Sequence, residues 1–133
     1  MRVSIIPSKP IDLVFHKTHE IVRLIEPEKC DLVVTMNATA SVLSSICSKD
    51  CVVYLVSTAS NPKKFVGKPF FVLSVHYKLY RTPTRVIFST ANASLSSFNE
   101  VSIIFDRNDV PEQFISSLLA HLEKSHSFIK RFW

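Results

Sequence analysis

The chain has 133 residues, of which 47% are hydrophobic, so it is long and apolar enough for one compact domain with a single core. Its formal charge of +5 at pH 7 favours a polyanionic partner, such as nucleic acid or an acidic membrane surface. Gly67 is the only glycine, which excludes a glycine-rich phosphate loop and a dinucleotide-binding fingerprint.

No apolar run reaches the length of a membrane span, and the apolar stretch at the start is too short for a signal peptide. We therefore expect one soluble, cytoplasmic domain over residues 1–133, not associated with a membrane. The three cysteines, Cys30, Cys47 and Cys51, are an odd number and do not fit a disulfide scaffold. Because Cys47 and Cys51 have no second Cys or His pair nearby, we expect neither a metal site nor a cofactor.

The first half of the chain alternates patterns typical of strands and helices. Apolar residues at helical spacing, such as Ile11, Val14 and Phe15, predict a helix that Pro27 ends. The apolar runs that follow predict strands buried on both faces, as central parallel strands are. In chain order, the predictions are a strand at 2–6, a helix at Pro10–Glu26, a strand at Asp31–Met36, a helix at 38–49 and a strand at Cys51–Val56.

The second half begins with a polar, basic stretch, Ser57–Lys68, and then predicts three strands and a helix. Thr82-Pro83-Thr84 joins the first two of these strands as a hairpin. The last helix is predicted to begin near Asp109, with Asp109 as its cap and Glu112 closing a capping box. The order of elements predicts an α/β layered domain with a mixed sheet. The three strands are predicted at Phe70–Tyr80, Arg85–Thr90 and Val101–Phe105.

One candidate site lies where the predicted hairpin ends. Residues two apart in a strand point to the same face, so His76 and Lys78 are expected to face one space. Thr90 and Asn92 are also two apart, and the hairpin brings this second pair beside the first. Glu100 follows shortly after, just before the next buried strand.

These side chains suit phosphoryl transfer without a metal ion. A phosphodiester needs a nucleophile, and neutral imidazole is a good one. The transition state spreads negative charge over its equatorial oxygens, which Lys78, Thr90 and Asn92 can stabilise as a cation and two neutral donors. The carboxylate of Glu100 is suited to hold the imidazole of His76 in one tautomer.

The same residues resemble the HKD motif of the phospholipase D superfamily. The matching segments are His76-Tyr-Lys78, Ser89-Thr90-Ala91-Asn92 and Asn99-Glu100 before an apolar strand. The chain is most similar to the small nucleases of that superfamily that carry one motif per chain. The order of elements before the motif and a final helix ending in aromatic residues extend the resemblance over nearly the whole chain. These aromatic residues are Phe128, Phe132 and Trp133.

The resemblance implies a phospholipase D-like α-β-α layered domain and a metal-independent phosphodiesterase, expected to be a nuclease. In this family the motif histidine attacks phosphorus and forms a phosphohistidine. The histidine of a second motif protonates the leaving oxygen and then activates water, so a chain with one motif must form a homodimer. Carried onto this sequence, His76 is the nucleophile or acid/base, and Lys78 and Asn92 bind phosphate. Thr90 is a hydroxyl ligand, and Glu100 orients the imidazole.

Departures from the family pattern keep a second interpretation open. The family usually has an aspartate a few residues after the lysine, where this chain has Tyr80-Arg81-Thr82-Pro83. The Gly-Ser pair of the family is Ser89-Thr90 here, and the spacing from Asn92 to Glu100 is shorter. The alternative is a catalytically inactive phospholipase D-like module that binds nucleic acid or anionic lipid head groups. A lipid phosphodiesterase is a third interpretation, which the small size and the single motif disfavour.

Five basic residues flank the predicted cleft in sequence and are candidates for contacts with a nucleic-acid backbone, although loop solvation explains them equally well. They are Lys63, Lys64, Lys68, Arg81 and Arg85. Phe65, Phe70 and Tyr77 near them can stack on bases, but core packing fits the two phenylalanines better.

Two pairs of histidines lie on predicted helices. His16 and His19 are on the first, and His121 and His126 are on the last. Neither pair has an acidic partner at metal-ligand spacing, so we interpret all four as residues of solvated helix faces.

Overall fold

The computed structural model describes Arg2, residues 4–125 and Lys130–Arg131. These residues form three α-helices, α1 (Ile21–Ile25), α2 (Ala40–Ile46) and α3 (Glu112–Ser125). They also form ten strands, β1 (Pro10–Lys17), β2 (Cys30–Val34), β3 (Asn37–Ala38), β4 (Cys47–Leu55), β5 (Ser57–Thr58), β6 (Lys68–Phe71), β7 (Lys78–Arg81), β8 (Arg85–Ser89), β9 (Asn99–Asp106) and β10 (Lys130–Arg131). Short 3-10 helices lie at Thr18–Glu20, Pro62–Lys64 and Arg107–Asp109.

Eight of the described strands form one mixed sheet in the order β1-β9-β8-β7-β2-β4-β6-β10. Strands β2, β4 and β6 are parallel, which for β2 and β4 agrees with the expectation from their apolar sequences. β7, β8, β9 and β1 continue the sheet as antiparallel neighbours. The predicted hairpin is confirmed, because Lys78 at the start of β7 pairs with Ser89 at the end of β8.

Side chains alternate between the two faces of the sheet and build a core on each face. On one face, Val33 and Tyr80 pack with residues of α1 and α2. On the other face, Val34 and Leu79 pack with residues of α3. Because neighbouring residues of one strand enter different cores, the domain is a mixed α/β structure with helices on both sides of the sheet.

The predicted helix at Pro10–Glu26 is wrong over most of its length. Its first part is the edge strand β1, and only Ile21–Ile25 is α-helical. The apolar spacing at positions 11, 14 and 15 fits a helix, but that at positions 11, 13 and 15 fits a strand equally well. The pairing of β1 with β9 along its length supplies the backbone hydrogen bonds that favour the strand.

The predicted strand Phe70–Tyr80 is interrupted by a loop. Residues 72–77 separate β6 from β7, so His76 lies in a loop directly before β7. Val72 and Val75 of this loop are buried in the core on the α3 side. These two anchors fix the path of the loop and leave His76 exposed between them and β7.

Smaller differences from the predictions occur at the ends of elements. Arg2 and residues 4–6 are not part of a strand, and α2 is shorter than predicted because β4 already begins at Cys47. The last helix begins at Glu112, so Asp109 lies in the preceding 3-10 helix and does not cap it. The predicted aromatic C-terminus lies outside the described residues. It comprises Phe128, Phe132 and Trp133.

Candidate active site

The predicted site residues all lie at one edge of the sheet, which we call the site edge. The parallel strands β2, β4 and β6 end there, and so does β8. β7 and β9 begin there, because Lys78 is opposite Ser89 and Ser89 is opposite Ser102. The loops at 72–77 and 90–98 flank this edge. The residues concerned are His76, Lys78, Thr90, Asn92 and Glu100.

Lys78 is a buried cation without an ion pair. The residue is only 5% exposed, and no carboxylate of the described residues forms an ion pair with it. Its Nζ lies 3.4 Å from Nδ1 of the exposed His76, which is a long contact. Burial lowers the pKa of Lys78, and the charge of nearby Glu100 offsets only part of this effect. A bound anion would supply the counter-charge that the fold itself does not.

Asn92 is held in one orientation by the turn that follows β2. Its Oδ1 accepts hydrogen bonds from the backbone N–H groups of Met36 and Asn37 and from the Thr35 hydroxyl, each at 3.2 Å. Backbone N–H groups only donate, so these contacts fix which side-chain atom is the oxygen. The amide nitrogen of Asn92 makes no hydrogen bond within the described residues and remains available as a donor.

Two threonines hold the carboxylate of Glu100. Its Oε1 accepts a hydrogen bond from Thr90 Oγ1 at 2.9 Å, and its Oε2 accepts one from Thr18 Oγ1 at 2.6 Å. The Thr90 hydroxyl also accepts from the backbone N–H of Val101 at 3.0 Å. The hydroxyl proton of Thr90 is thus directed at Glu100. It can reach a phosphate only if the hydrogen bond between Thr90 and Glu100 breaks.

The predicted contact between Glu100 and His76 is not among the contacts of the described residues. Both carboxylate oxygens of Glu100 face threonines, while the described partner of His76 is Lys78. The geometry therefore brings Glu100 to the site edge without placing it on the imidazole. Within one chain, its role is to fix the start of β9 and the segment that carries Thr90.

Residues that the sequence did not single out hold the loop after β8 in place. The hydroxyl of fully buried Tyr80 donates to the backbone oxygen of Ala91 at 2.7 Å. The Thr35 hydroxyl accepts from the backbone N–H of Ala93 at 3.2 Å. Tyr80 is two residues from Lys78 on the same face of β7, a spacing that can reveal it in the sequence. Thr35 belongs to a distant segment and carries no such signal.

The five predicted basic residues fall into two groups, and the arginines belong to the fold. Arg81 and Arg85 flank the hairpin turn, about 10 Å along β7 from Lys78. Arg81 pairs with Asp31 at 2.7 Å. Arg85 pairs with Glu28 at 3.2 Å and donates to the last backbone oxygens of α1. Both guanidinium groups are thereby engaged at the sheet end opposite the site.

The lysines of this set are less constrained. Lys63 and Lys64 lie exposed on the 3-10 helix before β6. Lys68 begins β6 at the end remote from the site edge and is half-buried. Of the nearby aromatic residues, Phe65 packs against one core and Phe70 stacks on Tyr54, which supports a packing role for both.

The three cysteines lie in the hydrophobic core. Cys30, Cys47 and Cys51 are buried free thiols. Burial raises the pKa of Cys30, and a hydrogen bond with Cys47 together with burial raises the pKa of Cys51. Among the described residues, no group of three or more His, Cys, Asp or Glu side chains could hold a metal ion.

The interpretation of His16 as a residue of a solvated helix face is wrong. His16 lies half-buried on β1, and its Nε2 is 2.7 Å from the hydroxyl of buried Ser102. His19 is exposed on the 3-10 helix that follows, and His121 is exposed on α3. His126 lies outside the described residues.

No protein-family model matches the sequence, and no curated protein matches it significantly. No helix within the described part of the chain is long and apolar enough to cross a membrane. The proposed function therefore rests on the geometry of the site edge and on the motif resemblance.

Proposed function

We propose that the protein is a metal-independent phosphodiesterase, specifically a nuclease, whose active site is shared by two copies of the chain. The observation that carries the proposal is Lys78, a buried cation without an ion pair beside the exposed imidazole of His76. The oriented carboxamide of Asn92 at the same edge and the phospholipase D-like motif support it. The net charge of +5 supports nucleic acid as the substrate.

In the proposed reaction, a nitrogen of His76 attacks phosphorus and the bond from phosphorus to the leaving oxygen breaks. The leaving oxygen takes a proton from His76 of a second copy. Water then attacks the phosphohistidine and gives its proton to that same second imidazole, while the nitrogen–phosphorus bond breaks. Lys78 and the amide nitrogen of Asn92 stabilise the equatorial oxygens in both transition states.

A second copy is needed because one chain carries one such histidine. Apolar side chains in the two loops beside the site support a dimer that closes over it. Leu73 is 60% exposed in the first loop, and Leu95 and Phe98 are 67% and 71% exposed in the second. A two-fold contact through this apolar rim would place two copies of His76 across one site.

The proposed chemistry is tested with purified His76→Ala in the presence of EDTA, on single- and double-stranded DNA and RNA. We expect wild-type cleavage to continue under EDTA and the variant to lose about 100-fold or more in rate, because it lacks the nucleophile. His121→Ala, which changes an exposed histidine of α3, is the matched control and should cleave normally. Unchanged cleavage by His76→Ala would show that the proposed mechanism is wrong.

A second candidate is a catalytically inactive module that binds nucleic acid or anionic lipid head groups at the same edge. The engagement of Glu100 by Thr18 and Thr90, instead of His76, favours this candidate. It predicts salt-sensitive binding with no turnover in a sensitive phosphodiester assay. Turnover that depends on His76 would exclude it, and binding to anionic vesicles rather than to nucleic acid would identify the lipid version.

A further inference from the structure

A row of hydrogen bonds crosses the sheet from His16 on the edge strand β1 to Ser89 beside Lys78. His16 Nε2 lies 2.7 Å from Ser102 Oγ, and Ser102 Oγ donates to Ser89 Oγ at 2.7 Å. Ser89 Oγ also accepts from the backbone N–H of Ala91 at 2.9 Å. Because Ser102 is fully buried, no water competes for its hydroxyl.

The contact between His16 and the backbone oxygen of Lys17 determines which atom donates in each hydrogen bond of the row. His16 Nδ1 lies 2.7 Å from the backbone oxygen of Lys17, which can only accept, so Nδ1 carries a proton in either charge state. In the neutral ring, Nε2 holds a lone pair, so Ser102 turns its proton from Ser89 to Nε2, and Ser89 then donates to Ser102. The Ser89 proton then points towards β9, on the side of β8 away from Lys78.

Protonation of His16 gives the opposite order, which is the one in the structure, where Ser102 donates to Ser89. The N–H at Nε2 then donates to Ser102, and Ser102 donates to Ser89. The proton of Ser89 is released from the row, and its other described acceptor, the backbone oxygen of Val101, is 3.5 Å away, which is long for a hydroxyl. An anion beside Lys78, on the cross-strand neighbour of Ser89, is placed to accept it.

We propose that His16 is a positioning residue for the anion bound at Lys78, because its protonation turns the Ser89 hydroxyl into a donor towards that anion. By linkage, the bound anion favours the charged ring to the same extent that the charged ring favours the anion. The identity of the anion as a substrate phosphate rests on the proposed function, whereas the coupling itself does not. Ser89 stands where the phospholipase D motif that this chain resembles has glycine, which would lack the hydroxyl.

The charged groups around His16 come from three elements. Lys17 follows it on β1, His19 and Glu20 lie on the 3-10 helix after β1, and Glu100 is opposite it on β9. An open groove of about 390 Å³ reaches His16 between them, so the ring can exchange protons with solvent. None of these groups belongs to the hydroxyl row, which allows the row to be altered separately.

The test uses the full chain with sulfate, which remains a dianion across the range in which histidine titrates. The His76→Gln background removes the imidazole that lies directly at the site. Imidazole ¹⁵N NMR then reports the tautomer and the charge of His16. We expect the neutral ring to carry its proton on Nδ1 and sulfate to raise its protonated fraction. Sulfate should also bind at Lys78 about fivefold more tightly when the His16 ring is charged than when it is neutral.

Ser102→Ala and Ser89→Ala, each made in that background, interrupt the row while keeping His16 and Lys78. Either should abolish the effect of sulfate on the charge of His16 and weaken sulfate binding at acidic pH. Any pH dependence of sulfate binding that comes from Lys78 remains in both variants. It is therefore subtracted from the pH dependence measured in the His76→Gln background. Thr84→Ala removes a hydroxyl at the remote hairpin turn and should keep the coupling. Thermal melts confirm that each variant is folded.

Two results would overturn the inference. One is an unchanged charge of His16 at saturating sulfate, and the other is full coupling in a folded Ser102→Ala or Ser89→Ala variant. Neither readout needs turnover, so a failure of the proposed phosphodiesterase activity is distinguished from a failure of the row. An inactive protein with coupled sulfate binding would keep the inference and lose only the proposed reaction.

Discussion

Asn92 joins a structural contact and a proposed chemical role in one side chain. Its oxygen fixes the turn after β2 through three donors, while its nitrogen is left for a ligand. Lys78 differs, because burial of its charge costs free energy that no described carboxylate offsets through an ion pair. These two residues therefore predict different outcomes for stability and activity when they are replaced.

Asn92→Asp keeps an acceptor for the three donors but replaces the amide donor with an oxygen that bears negative charge. We expect thermal stability close to that of wild type, together with about 100-fold slower phosphodiester cleavage. Asn92→Ala is the comparison, since it removes the acceptor too and should lower the melting temperature. Cleavage by Asn92→Asp at the wild-type rate would remove Asn92 from the proposed phosphate ligands.

Lys78→Met replaces the buried ammonium with an apolar side chain of similar length. We expect activity to fall about 100-fold or more and the free energy of unfolding at neutral pH to rise. The pKa of Lys78 is lowered in the fold, so the unfolded chain holds this proton at pH values where the folded chain has lost it. The stability of the wild type therefore rises with pH between the lowered pKa and the ordinary value of 10.5.

Urea denaturation of both proteins at neutral pH and near pH 10.5 measures this effect. The advantage of Lys78→Met should be largest at neutral pH and should shrink as the pH rises. A variant that is less stable than wild type at neutral pH would contradict the assignment of Lys78 as a buried charge without an ion pair.

The hairpin of β7 and β8 has different roles at its two ends. Its open end carries Lys78 to the site edge, whereas its turn end carries Arg81 and Arg85 into ion pairs with Asp31 and Glu28. Arg85 also satisfies the last backbone oxygens of α1, which have no partner within the helix. The turn end therefore fixes a helix against the sheet, and ligand contacts are expected elsewhere.

Arg85→Ala should destabilise the fold by about 2 kcal/mol or more, because several charged hydrogen bonds are lost at once. The double change Lys63→Ala and Lys64→Ala alters only exposed lysines and should leave stability within about 0.5 kcal/mol of wild type. If these lysines contact a nucleic-acid backbone, the replacement of each lysine should lower the salt dependence of binding by the equivalent of about one phosphate contact. Fluorescence anisotropy over a range of salt concentrations, with urea denaturation in parallel, measures both properties.

At the scale of the whole molecule, the apolar rim is the surface proposed to contact a second copy of the chain. Leu73 lies in the same loop as His76, and Leu95 and Phe98 lie in the loop after β8; in the proposed dimer, a second copy covers all three. The outer face of β1 is a second exposed apolar surface, with Leu13 at 54% exposure, and provides an internal comparison.

Leu95→Asp should convert the proposed dimer into a monomer and abolish cleavage, because the charge cannot be buried at the contact. Leu13→Asp introduces the same charge on β1 and should leave both properties unchanged. Light scattering gives the mass in solution for each. A monomeric wild type, or a dimer broken only by Leu13→Asp, would show that the rim is not the contact.

A mixed dimer of one wild-type chain and one His76→Ala chain tests whether the site is shared. With bis(p-nitrophenyl) phosphate, whose leaving group needs no proton, the single His76 should form a phosphohistidine once and then stall. We expect one equivalent of p-nitrophenol per mixed dimer and a phosphorylated wild-type chain by mass spectrometry. Steady turnover at half the wild-type rate would instead indicate two independent sites.

Local patterns were sufficient for much of the fold and for the composition of the site. The apolar runs of β2 and β4, the hairpin of β7 and β8, and the last helix can all be recognised within short windows, because their signals are local. The grouping of His76 and Lys78 with Thr90 and Asn92 follows from that hairpin. Pro10–Lys17 could not be assigned correctly, since its pairing with β9 involves residues more than eighty positions away.

What the tertiary structure alone decided is which contacts each residue of the candidate site makes. The sequence determined which chemical groups meet at the site edge, but it carries no signal that Lys78 is buried without an ion pair. Nor does it show that Glu100 binds Thr18, 82 residues away, or that His16 reaches Ser89 through Ser102. These facts depend on contacts between distant segments, whose partners are set by the packing of strands and not by local periodicity.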